Sequence, residues 1–131
     1  MMRLVLTLPL VVSLLDCSGD ETLSGHGATG RTWQLTEIDG TAFDARATIT
    51  FPEEGKIVGE APCNRYFAAQ LQPYPWFEAA EIGTTRRACP EMAQETAFLD
   101  ALGAMSLAEV TDTTLILSTQ EGREMVFRAA E

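Results

Sequence analysis

"ITFPEEGKIVGEAPCNRYFAAQL", Ile49 to Leu71, changes character twice in one short run. Ala47, Ile49 and Phe51 alternate with polar residues, as on one side of a strand, and "PEEG" closes that strand with turn chemistry. "KIVG" makes a return strand ending at Gly59, so the pair reads as a hairpin or the start of a β-meander. Cys63 and Asn64 come next, and "RYFAAQL" resumes the alternation. Short antiparallel strands are the expected framework, with a cysteine and an asparagine in a connection between two of them.

The flanking sequence fits that framework. Upstream, "TWQLTEI" places Trp33, Leu35 and Ile38 on an apolar side, and Asp39-Gly40 signals a turn. Downstream, Pro73 and Pro75 interrupt the pattern, and "FEAAEIG" reads as a strand leading to Cys89. The period then changes. In "CPEMAQETAFLDALGAM", Pro90 suits a first helical position, and Met92, Phe98, Leu99, Leu102 and Met105 form a stripe at helical spacing. One amphipathic helix lying on a sheet is predicted. The last third returns to strands, with Leu115 and Leu117 before the turn "QEG" and Met125 and Phe127 after it.

The first thirty residues follow other rules. Arg3, the apolar run Leu4 to Leu15 and the small polar residues after it have the order of a secretory signal, too short to span a bilayer as a helix. "LLDC", Leu14 to Cys17, resembles a lipobox, whose cysteine is acylated after cleavage; Asp16 stands where a small residue is usual, and cleavage after Gly19 is the alternative. "SGDETLSGHGATG", Ser18 to Gly30, reads as a flexible Gly/Ser tether holding the chain's single histidine, His26. The expected layout is a signal over 1–17, a linker over 18–30 and one folded domain over 31–131. Export to the periplasm or outer membrane follows, or otherwise secretion.

The chain has 131 residues, of which 46% are apolar and 21% charged, proportions of a single globular domain rather than a disordered chain. Its net charge of −10 argues against sequence-independent nucleic-acid binding, because phosphate backbones would be repelled. A thiol nucleophile needs a base, and the one histidine lies in the presumed tether. Three cysteines, one of them removed or acylated, do not make a zinc site. No catalytic residue, metal ligand or cofactor site is assigned. Cys63 and Cys89 are left as a disulfide or as two buried thiols, and export favours the bond. Asn64 and Arg65 are expected to be structural, Asn64 through turn hydrogen bonds and Arg65 through a carboxylate partner, with a binding role as the alternative. Tyr74 and Trp76, on the proline-stiffened loop "PYPW", are a possible binding surface.

Five pieces in order resemble the META-domain family and its HslJ-like bacterial lipoproteins. They are the Trp33 strand, the Ile49–Leu71 element with its Cys-Asn pair, "IGTTRRACPE" with Cys89, the helix after it and the closing hairpin. Pro62 departs from the glycine common before the central cysteine. The resemblance implies an α+β, mainly β fold, an antiparallel barrel-like or curled sheet with one packed helix. Members of that family are envelope or secreted proteins linked to stress, and no catalytic mechanism comes with the resemblance. The expectation for this chain is a non-enzymatic, monomeric envelope protein supporting stress tolerance, whose partner is an envelope protein or cell-wall component. A small-ligand or peptide binder, or an inhibitor of a cationic lytic enzyme, is the alternative.

Overall fold

The computed structural model describes residues 19–130, so the expected signal segment and Cys17 lie outside the described residues. β1 (Thr32–Ile38) turns Trp33 and Leu35 inward, and Asp39-Gly40, both at positive φ (51° and 78°), fold it back onto β2 (Thr41–Ala42). β3 (Thr48–Thr50) lies within the Ala47, Ile49, Phe51 alternation, and all three of those side chains are buried. β4 (Gly55–Glu60) and β5 (Arg65–Gln70) pair in register from Gly55 opposite Gln70 to Glu60 opposite Arg65. β6 (Ala80–Thr84), α1 (Met92–Ala104), β7 (Leu107–Thr111), β8 (Thr114–Ser118) and β9 (Glu124–Ala130) complete the chain.

All the pairings are antiparallel, in the order β6-β5-β4-β3-β1-β9-β8-β7, with β2 hung on β1. The sheet curls without closing. Its β7 edge is met by the 73–77 loop, where Phe77 N–H reaches Ser106 O (3.0 Å) and Ala108 N–H reaches Pro75 O (2.8 Å). α1 contributes Phe98, Ala101 and Leu102 to the single apolar core. Phe98 stands edge-on to Tyr66 at 5.4 Å, an arrangement aromatic rings favour. The expected mainly-β class, a curled sheet with one helix, is what the chain forms.

Three local expectations need correcting. The Ser18 to Gly30 tether is not a tether over its described residues. Leu23–His26 forms a 3₁₀ turn, and Leu23 and Ala28 are fully buried. Trp33 is the physical reason: its buried indole N–H needs an acceptor and takes Ala28 O at 3.0 Å, drawing the preceding chain onto the domain. Met92, assigned to the apolar stripe, is 39% exposed, while Glu95, one turn further on, is buried. β7 was not anticipated, because "LAEVT" offers only Ala108 as a fully inward side chain.

Candidate functional site

The connection between β4 and β5 is held by a polar cluster whose centre is on the helix. Glu95, 3% exposed, accepts the backbone N–H groups of Cys63 (2.9 Å) and Asn64 (2.8 Å) on one oxygen. Its other oxygen accepts the Asn64 amide at 2.7 Å. Asn64 also donates to Arg87 O (2.9 Å) and accepts Arg87 N–H (2.6 Å) and the Thr85 hydroxyl (3.0 Å). Thr85 Oγ1 in turn accepts Arg65 N–H at 3.1 Å. Asn64 thus joins the β4–β5 turn, the loop after β6 and α1. Among the described residues no buried side-chain polar atom lacks a partner, as a low-dielectric interior requires.

Cys63 and Cys89 are bonded, with Cα atoms 5.6 Å apart, so the same two segments are joined covalently beside the Asn64 clamp. A Glu91 carboxyl oxygen lies 3.1 Å from Cys89 Sγ. Cys63, Cys89 and Glu91 do converge, but sulfurs bonded to each other offer no thiolate to a metal or a substrate.

Two clefts open on the outer side of this framework. One, of about 550 Å³, is lined by Arg46, Glu60, Arg65, Thr85 and Arg87 around the stapled turn. The other, of about 500 Å³, shares Arg46, Glu60 and Arg65 and continues over Val58 and Phe67. Val58 (40% exposed) and Phe67 (55%) are a directly opposed cross-strand pair. The Phe67 ring lies over Gly83 of β6, where a Cβ would collide with it. Beneath, Tyr66 donates to Thr48 O at 2.6 Å, and Gly59 leaves the space for that hydroxyl. Burial pushes the Tyr66 hydroxyl well above the usual tyrosine range.

Arg65 does not find the carboxylate expected for it. Glu60, its cross-strand partner, instead accepts Arg46 Nε at 3.2 Å. Arg65 and Arg87 are in no ion pair among the described residues. On the other side of the molecule's loops, Tyr74 is only half-buried and is committed to structure. Its ring stacks on His26 at 4.4 Å, and its hydroxyl accepts Val110 N–H at 3.1 Å. Trp76 remains 47% exposed, while its backbone bridges to Leu107 on the β7 edge. The proposed Tyr74/Trp76 surface therefore presents one free ring.

Glu95 was the functional-looking residue that sequence reasoning missed. The signal was there: an acid at the spacing of Phe98, Leu99 and Leu102, inside the apolar stripe.

A curled antiparallel sheet with one helix, its central turn tied by a disulfide and a buried Asn–Glu clamp, defines a small stapled β domain. The chain belongs to the META-domain family, whose model matches residues 26–131. Its fold is similar to that of a protein from Burkholderia xenovorans solved by NMR, with a TM-score of 0.65 at 23% identity, covering 82% of this chain and 86% of that one. It is also similar to a DUF4847 family protein from Bacteroides vulgatus solved by crystallography, with a TM-score of 0.62 at 12% identity, covering 79% and 94%. At these identities the likeness is one of fold. No curated protein matches the sequence.

Proposed function

We propose that the chain is an HslJ-like envelope protein that works by binding rather than by catalysis, exported and held at a membrane by a lipid on Cys17. Its role is to support envelope integrity under stress by engaging an envelope protein or cell-wall component. The observation that carries the binding reading is the arginine-lined cleft. Three of the chain's nine lysine and arginine residues line it, against one of its nineteen carboxylates. An acidic chain that gathers arginines around its disulfide-tied turn, two of them in no ion pair among the described residues, has a surface suited to a partner of opposite charge.

Export is supported by the disulfide, which is consistent with an oxidising compartment. No helix among the described residues is long and apolar enough to cross a membrane, so attachment through an acylated cysteine suits the chain. Non-enzymatic action is supported by the use of both domain cysteines in one bond and of the single histidine in a stack on Tyr74.

The first experiment is the non-reduced intact mass of the protein from a native envelope fraction. A chain starting at Cys17, heavier by acyl groups and lighter by two hydrogens, is expected. An uncleaved chain with free thiols overturns export. Survival of a gene-deletion strain in detergent then tests the role: the parent gene is expected to restore it, and an Arg65→Gln, Arg87→Gln gene is not.

A further inference from the structure

The two clefts share Arg46, Glu60 and Arg65, so a charged pocket runs without a break into an apolar strip. Their volumes, about 550 and 500 Å³, are each within the range of small-molecule sites, roughly 300–1,000 Å³. The charged half holds three guanidinium groups and one carboxylate. Two of the three, Arg65 and Arg87, are unpaired among the described residues, and both have their main chains fixed by the Asn64–Thr85 network. Arg46 is engaged through Nε with Glu60.

A planar fork of N–H donors matches the oxygens of a carboxylate or a phosphate. The local excess of two positive charges favours the phosphate monoester, which carries about −1.5 to −2 at pH 7 and three acceptor oxygens. The apolar half is Val58 facing Phe67, exposed on the outer side of the sheet. Phe67 stands two residues after Arg65 on β5, and residues at that spacing share a face about 7 Å apart, so a single ligand with a short apolar portion spans both halves.

We infer that this composite cleft binds an amphiphilic phosphate monoester, its phosphate on Arg65 and Arg87 and its alkyl chain along Val58 and Phe67. This deepens, and rests on, the binding reading above. Glu60 opposes the ligand's charge and weakens its binding.

The test is calorimetric titration of the oxidised protein with octyl phosphate, inorganic phosphate and octanol. Octyl phosphate is expected to bind at least about tenfold more tightly than either fragment. Arg65→Gln, Arg87→Gln should weaken it by at least about tenfold, the loss expected for charge-assisted hydrogen bonds. Those side chains are exposed, and the network uses only their main chains, so at about 150 mM salt, where surface charge is screened, the urea midpoint of this variant should match the parent's. Phe67→Thr should abolish the advantage of octyl phosphate over inorganic phosphate. Glu60→Gln should tighten binding by about two- to threefold, a gain that damage to the fold would not produce.

Equal binding of octyl and inorganic phosphate, equal binding of octanol, or an unaffected arginine variant each overturns the proposal. If octyl phosphate fails to bind while the arginine gene still fails to restore detergent survival, the ligand class is wrong and the cleft remains the partner site. If octyl phosphate fails to bind and the arginine gene restores survival, both readings fall.

Discussion

Glu95 accepts three N–H groups from Cys63 and Asn64 in a place that water barely reaches. Glu95→Ala leaves those donors without partners and is expected to lower the unfolding free energy by about 2–4 kcal/mol in urea denaturation. A change below about 0.5 kcal/mol, the size of an ordinary surface effect, would show that the donors find other acceptors. Tyr66 makes a different, pH-dependent contribution. Burial raises its folded pKa above the unfolded value of about 10, so the native state holds the proton more tightly. The stability from this group is complete below about pH 10 and is lost as the pH rises toward the folded value. Tyr66 should therefore form phenolate only as the protein unfolds, read from the ultraviolet absorbance difference between the parent and Tyr66→Phe. Tyr66→Phe should flatten the alkaline loss, at a cost of about 1 kcal/mol at neutral pH for the bond to Thr48 O. Phenolate formed by Tyr66 in the still-folded protein would contradict this.

At the scale of elements, the domain is fastened at two places distant in sequence. The Cys63–Cys89 bond spans 26 positions, for which loop-closure entropy predicts about 3–4 kcal/mol of stabilisation. Replacing both cysteines by serine should lower the oxidised protein's melting temperature to that of the reduced parent. If the Asn64–Glu95 clamp holds the turn unaided, the variant will melt like the oxidised parent. The second fastening is the 3₁₀ turn before β1. Leu23→Ala should cost about 2–4 kcal/mol, as for a buried leucine, whereas a substitution in a flexible tether would cost nothing measurable. That single comparison in chemical denaturation separates a docked segment from a linker.

The molecule as a whole carries a net charge of −10, and the three ion pairs among its described residues are exposed contacts of small individual value. Repulsion among the remaining carboxylates therefore outweighs them. Raising ionic strength from about 10 to about 150 mM shortens the screening length from roughly 30 to roughly 8 Å. The urea midpoint should rise over that range, while affinity for octyl phosphate should fall. A midpoint that falls with salt would mean that attractive pairs dominate the surface. The same charge distribution explains why the cleft stands out: its arginines are brought together from the loop before β3, from β5 and from the loop after β6, not by sequence.

Local pattern was enough for much of this molecule. Alternation around Ile49, the Asp39-Gly40 turn, the helical stripe through Phe98 and Leu102, and the closing hairpin are all short-range signals, and each became the expected element. The pairing of Cys63 with Cys89 was legible because so few cysteines remained to choose from. Long-range packing settled the rest. Glu95 looks like any surface acid until the helix is laid against the β4–β5 turn, and "SGDETLSGHGATG" looks like a linker until the Trp33 indole claims Ala28 O. Arg65 reads as a partner for one of many carboxylates, yet Arg46 comes from another loop to take Glu60. Periodicity records which side of an element is apolar. Which polar partner fills a buried or charged position depends on contacts between segments, and those exist only once the sheet has curled and the helix has docked.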